Sequence, residues 1–150
     1  MKDASKRFNV RVYGLLINQD DEILLSSEVR KGFAFTKFPG GGLQWGEGII
    51  DCLKREWQEE LALSIEVKQH FYTTEIFQRS AFREDDQLIS LYYKLQPDLA
   101  AQISNGQIAE DVEEGDTHVF EWKSISKLKV EELTFPIDRK VLAMLKEELA

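Results

Sequence analysis

Cysteine, proline, histidine and methionine are all scarce: one, three, two and two among 150 residues. The lone Cys52 excludes an internal disulfide framework and fits a reducing compartment. His70 and His118 have no cysteine or histidine at ligand spacing, so neither reads as part of a zinc centre, and both are expected to serve the structure, unless the acidic loop folds over and brings His118 to the site. No apolar run approaches the roughly 20 residues of a membrane span, and Met1-Lys2-Asp3-Ala4-Ser5-Lys6-Arg7 leads into no apolar leader core. Positive charge is short as well, with 19 Lys and Arg against 27 Asp and Glu and a net charge of −8. That balance argues against nucleic acid or an anionic membrane surface as a partner. There is no repeat and no low-complexity tract. The expectation is one domain over residues 1–150, cytoplasmic, with 43% hydrophobic residues to build a core.

Periodicity gives a coarse map of that domain. Residues 9–17 alternate as a strand, with Val10, Val12, Gly14 and Leu16 on one face and Arg11, Tyr13, Leu15 and Ile17 on the other. Gln19-Asp20-Asp21 is turn chemistry, and residues 22–27 return as a second strand. Residues 30–42 read as a loop that tightens at Pro39-Gly40-Gly41-Gly42. From 47 to 61 the period becomes helical, with Ile50, Leu53, Trp57 and Leu61 stacked on one side. Residues 64–78 and 87–95 are rich in strand formers and are expected to pair across the polar turn at 83–86. A long acidic loop over 97–116 leads to a strand through His118, Phe120 and Trp122. Pro136 opens a last amphipathic helix over 137–149. Strands with interspersed helices indicate an α/β layered domain.

The chemistry concentrates between Gly41 and Leu63. Glu56, Glu59 and Glu60 are i, i+3 and i+4 on the helix, so their carboxylates share roughly a 100° arc. Like charges at this spacing repel, and a divalent cation turns the repulsion into a site. Magnesium suits it, as a hard ion that takes oxygen ligands and leaves room for phosphate oxygens. The glycine turn, Glu47 and Arg55 stand at fixed offsets from this cluster, which a merely solvated face would not require.

Those offsets resemble the Nudix box of the MutT-like hydrolases: Gly, five residues, Glu, seven residues, Arg-Glu, an aliphatic, any residue, Glu-Glu, any residue, Gly and an aliphatic. Gly41, Glu47, Arg55, Glu56, Glu59, Glu60 and Leu63 match, and the lead-in Phe38-Pro39-Gly40-Gly41 is similar too. Trp57 stands where an aliphatic is usual, and Ala62 replaces the glycine. The alanine implies a turn after the helix without a positive φ at that position.

The resemblance implies a Nudix α/β/α sandwich with a mixed, partly curled β-sheet. It implies Mg²⁺, with Mn²⁺ as an alternative, held by Gly40 (through its carbonyl), Glu56, Glu59 and Glu60. The implied reaction is hydrolysis of a nucleoside diphosphate linked to another group, by attack of water on phosphorus. A nucleotide sugar such as ADP-ribose stands slightly ahead of a nucleoside triphosphate. Arg55 is expected to pair with Glu47 and aim Glu56. The general base is Glu56 or an acid of the later loop, among Asp111, Glu113, Glu114 and Asp116, with Glu114 the first choice. Arg30, Lys37, Arg79 and Arg83 are candidate substrate contacts, and Phe33, Phe35, Tyr72 and Phe77 either stack a base or fill the core. Cys52 has no neighbouring base and reads as a packed thiol. The partner is a small molecule, and dimerisation is common enough in the family to expect a homodimer. The alternative reading is a non-catalytic nucleotide sensor on the same scaffold, which would be expected to have lost the box carboxylates.

Overall fold

The computed structural model describes residues 5–150, so the first four residues of the segment read above for a leader lie outside it. Central strand β1 (Arg7–Leu15) pairs antiparallel with β4 (Gly40–Gly42) and parallel with β6 (Asp86–Leu95), which in turn carries β5 (Val67–Thr73). A second sheet is antiparallel throughout: β2 (Glu22–Arg30) lies between β3 (Phe33–Lys37) and β8 (Thr117–Ser124), with the short β7 (Gln107–Ile108) at the far edge of β8. Helices α1 (Ile49–Leu61) and α2 (Pro136–Leu149) complete the α/β/α arrangement.

Alternation along the first two strands explains the layers. Val12 and Leu16 of β1 and its extension, with Leu24 of β2, pack in one buried cluster with Leu53, Trp57 and Leu61 of α1. Their neighbours Tyr13, Leu15, Ile23 and Leu25 face the other way, into a cluster with Val141, Leu142 and Leu145 of α2. Each strand is therefore buried on both faces, and each large apolar side chain contributes about 1.5–3 kcal/mol by leaving water. No helix among the described residues is long and apolar enough to cross a membrane.

Several local expectations are corrected. The segment 30–42 is not a plain loop, because Lys31 (φ 50°) and Gly32 (φ 81°) make a two-residue hairpin turn that returns the chain as β3. Three glycines have little strand propensity, yet β4 forms because Gly40, Gly41 and Gly42 pair with Tyr13, Val12 and Arg11. The acidic segment 97–116 contains a 3₁₀ turn over Pro97–Gln102 and β7. Helix α1 starts at Ile49, two residues later than its periodicity indicated. Ala62 does take the left-handed conformation, φ 54°, with its N–H donating to the Gln58 carbonyl. The alanine pays no heed to the missing glycine: the helix end needs that geometry, and the side chain bears the strain.

Candidate functional site

The site starts from the β1–β4 pairing. A Cβ on Gly40 (φ 154°) would stand 2.1 Å from the Val12 carbonyl oxygen, so the close approach of the two backbones requires glycine. A Cβ on Gly41 would stand 2.3 Å from Cδ of Glu56, whose carboxylate takes up that space. The turn and the helix are thus fitted to each other through one side chain.

Arg55 locks this fit. Its Nε and Nη2 donate to Glu47 Oε2 and Oε1 at 2.9 and 2.7 Å, and Nη2 also reaches the Gly42 carbonyl at 3.0 Å. Nη1 donates to Glu56 Oε1 at 3.0 Å and to Glu59 Oε2 at 3.2 Å. The guanidinium and the Gln44 N–H hold the Glu47 carboxyl well down, at about 2. Cys52 packs beneath, where burial pushes its thiol up to about 12.

Deeper in, strand register adds residues that the box does not contain. Glu28 of β2 lies directly across from His118 of β8. His118 Nε2 is 3.6 Å from Glu28 Oε2 and 3.6 Å from Glu60 Oε1, and it bonds Ser26 Oγ at 2.6 Å. The buried Lys37 ammonium donates to the Phe38 and Gly40 carbonyls at 3.3 and 3.2 Å and lies 3.6 Å from Glu28 Oε2. Burial pushes the Glu60 carboxyl up to about 8, with the charge of Lys37 opposing. Burial also lowers His118 to about 4, which keeps the imidazole neutral. Burial would raise Glu28, but the charges of Lys37 and Arg30 and the Ser26 hydroxyl outweigh it and pull the carboxyl below its usual range.

These groups line a cleft of about 440 Å³ running from Arg11 and the glycine turn to Glu56, Glu60 and His118. A second pocket of about 260 Å³ shares Arg11, Arg30 and Lys37 with the cleft. Phe35, Phe82 and Phe135 form its aromatic side, with ring centroids 5.3–5.8 Å apart. Asp138 and Tyr92 lie inside it, joined by a 2.5 Å bond from the Tyr92 hydroxyl to Asp138 Oδ1, and burial pushes Asp138 up to about 6.

The residues named from the sequence are distributed as follows. Glu47, Arg55, Glu56 and Glu59 are joined through the guanidinium, with Glu59 at the exposed rim. Glu60 and the Gly40 carbonyl lie at the inner end, the carbonyl accepting from Lys37. Arg30 and Lys37 border both pockets, while Arg79 and Arg83 line only the aromatic one, Arg83 paired with Asp86 at 3.2 Å. Asp111, Glu113 and Asp116 stand on the cleft wall, whereas Glu114 is exposed and off that wall. Phe35 and Tyr72 are buried, and Phe33 and Phe77 are exposed. His70 is an exposed residue of β5 set edge-on to Tyr93. His118, expected first as a structural residue, lines the cleft together with Asp111, Glu113 and Asp116 of the acidic segment, the alternative arrangement. Sequence reasoning missed Glu28, Ser26, Arg11, Tyr92 and Asp138. The available signal was strand parity, since Glu28 shares the inward face of β2 with Ser26, and His118 shares that of β8 with Phe120.

The donors fit a divalent cation. Glu56 and Glu60 offer carboxylate oxygens at one cleft, Gly41 leaves Glu56 its place, and Glu60 Oε2 is buried with no hydrogen-bond partner. The α/β/α layers with an acidic cleft beside the glycine turn define the class of domain. The chain belongs to the Nudix hydrolase family, matching the family described as NUDIX domain over residues 7–145, and its enzyme class is Nudix pyrophosphohydrolase. No curated protein matches it in sequence. Solved structures share the fold. They include the E. coli ORF135 protein (TM-score 0.67, 17% identity, 100% of this chain and 96% of that one). MutT protein from Methanosarcina mazei Go1 gives 0.66, 17%, 98% and 99%. A MutT from a study of Aliivibrio salmonicida and Vibrio cholerae gives 0.64, 20%, 95% and 99%.

Proposed function

We propose that the protein hydrolyses a nucleoside diphosphate linked to a second group, with Mg²⁺ or Mn²⁺ held by Glu56, Glu59, Glu60 and the Gly40 carbonyl. The observation that carries this reading is the common wall of Arg11, Arg30 and Lys37 between the carboxylate cleft and the aromatic pocket. One ligand can then place phosphates in the cleft and a flat ring among Phe35, Phe82 and Phe135, with Asp138 and Tyr92 as hydrogen-bonding groups for the ring edge. The pocket admits one such ring, so the second group extends towards the open cleft. A nucleotide sugar such as ADP-ribose and a nucleoside triphosphate are the two forms to compare.

Bound metal would neutralise phosphate charge and make a water more acidic. The remaining work falls to the chain. Arg55 spends its donors on Glu47, Gly42 and Glu56, so it orients carboxylates and does not itself bind phosphate. Lys37 and Arg11 supply positive charge where the two pockets meet. Glu56, or Asp111, Glu113 or Asp116 from the facing wall, accepts the proton of the attacking water, and Glu114 would have to move inward to do so.

The test is nucleoside monophosphate release from a panel of nucleotide sugars, dinucleoside polyphosphates and nucleoside triphosphates in Mg²⁺. Turnover abolished by a chelator and by Glu56→Gln is the expected result. Tight binding of a panel member without turnover would favour the sensor reading instead.

A further inference from the structure

We propose that Glu28, Glu60 and His118 form a second cation site, deeper than Glu56 and Glu59, that takes a divalent transition metal such as Mn²⁺ or Zn²⁺ in preference to Mg²⁺. It rests on the reading of the cleft as a metal site, and it adds a nitrogen ligand that the box does not contain.

The three side chains come from β2, α1 and β8, and their residues are only 6, 7 and 7% exposed. One ligand atom from each lies within 4.8 Å of the other two. His118 Nε2 is 3.6 Å from each carboxylate, too long for a hydrogen bond. Ligands about 2.1 Å from a tetrahedral metal stand roughly 3.4 Å from one another, so the two 3.6 Å separations from His118 Nε2 already match that spacing closely. The unpartnered Glu60 Oε2 is the independent sign of a missing ligand, because a carboxylate this buried normally has its oxygens satisfied.

The ligand set points the same way: two buried carboxyl groups and an imidazole converge there, with the Lys37 ammonium 3.6 Å from Glu28 Oε2. Imidazole nitrogen suits Mn²⁺ and, better, Zn²⁺, whereas Mg²⁺ keeps to oxygen and water. Ser26 Oγ, 2.6 Å from Nε2 and 3.2 Å from Glu28 Oε2, holds the ring and the carboxylate in register and would yield Nε2 to the metal. Lys37, pinned by the Phe38 and Gly40 carbonyls, repels the incoming ion and limits its affinity.

The experiment uses the full chain freed of metal, loaded with one equivalent of Mn²⁺ and read by pulsed electron paramagnetic resonance for coupling to ¹⁴N. Coupling is expected in the wild type and in Glu56→Gln, which weakens the outer site, and is lost in His118→Gln with at least tenfold weaker Mn²⁺ binding. Lys37→Met should tighten Mn²⁺ binding severalfold. Absence of nitrogen coupling in the wild type, or unchanged Mn²⁺ affinity in a folded His118→Gln, would overturn the proposal. Should His118→Gln not fold, the wild-type spectrum decides alone. Nitrogen coupling in a protein that turns over no panel substrate would leave this site standing and remove the hydrolase reading. Mg²⁺-dependent turnover without coupling would do the reverse.

Discussion

The carboxylate of Glu56 occupies the space that a side chain on Gly41 would need: all three of its terminal atoms lie within 2.5 Å of the position of a Cβ there. Gly41→Ala must therefore push Glu56 off the cleft or lift β4 from β1. We expect kcat to fall about 100-fold, since small misplacement of a reacting group is costly. Stability should drop by about 1–3 kcal/mol from overpacking. Steady-state kinetics beside urea unfolding separates the two effects, and near-normal turnover would show that the position of Glu56 is immaterial.

Arg55 gives a second prediction. Lysine keeps the charge at Arg55→Lys but cannot reach Glu47, the Gly42 carbonyl and Glu56 together. The expected result is a 10- to 100-fold loss in kcat with KM little changed, because the guanidinium positions carboxylates and leaves the substrate alone. A rise confined to KM would place Arg55 on the substrate.

The strained helix end offers a gain. The left-handed conformation of Ala62 costs a side-chain-bearing residue about 1–2 kcal/mol, and glycine removes that cost. Glycine also loosens the unfolded chain, which costs about 0.4–1 kcal/mol. Ala62→Gly should be more stable by roughly 0.5 kcal/mol, visible as a higher urea midpoint at unchanged slope.

Glu60 and His118 predict how stability varies with pH in the metal-free protein. The Glu60 carboxyl is raised from 4.5 to about 8, so between the two values the folded state holds a proton that the unfolded state has released. Its contribution is complete below pH 4.5 and is lost as pH rises through 8. His118, lowered from 6.5 to about 4, acts in the opposite sense and only below about pH 6.5. The window from 6.5 to 8 therefore isolates Glu60: Tm should decline across it in the wild type and stay flat in Glu60→Gln. A flat wild-type profile would mean that Glu60 is already ionised when buried.

How much of this could be read in advance depended on sequence distance. The helix spacing and the Arg55–Glu47 pairing are local, and the structure joins Glu47, Glu56 and Glu59 through Arg55, while Glu60, next along α1, turns inward to His118. The double-sided burial of β1 followed from the alternation of Val12, Leu16, Tyr13 and Leu15. Glu28 and His118 could not be paired that way, because nothing near either residue encodes the β2–β8 register. Lys37 was named as a candidate substrate contact, and β3 sets it between the two pockets with its ammonium on the Phe38 and Gly40 carbonyls, a burial that nothing in the local sequence announces. The Lys31-Gly32 hairpin that makes β3 was legible in principle, but thirteen residues ending in three glycines disguised it as a loop. Ala62 shows the opposite limit, since a helix terminus can impose its geometry on a residue that disfavours it.

The parallel pairing of β1 with β6 joins Arg7 to Asp86 across 79 residues, and β4 depends on the same central strand. A two-stranded ribbon of β1 and β4 is marginal by itself. The glycine turn should consequently become rigid only after a chain closure spanning half the polypeptide, which predicts folding on the slow side for this size, in milliseconds to seconds. During synthesis the box helix will emerge long before β6, the strand that steadies the β1–β4 ribbon, leaving a nascent chain whose carboxylates are exposed to solution ions before there is a cleft to arrange them.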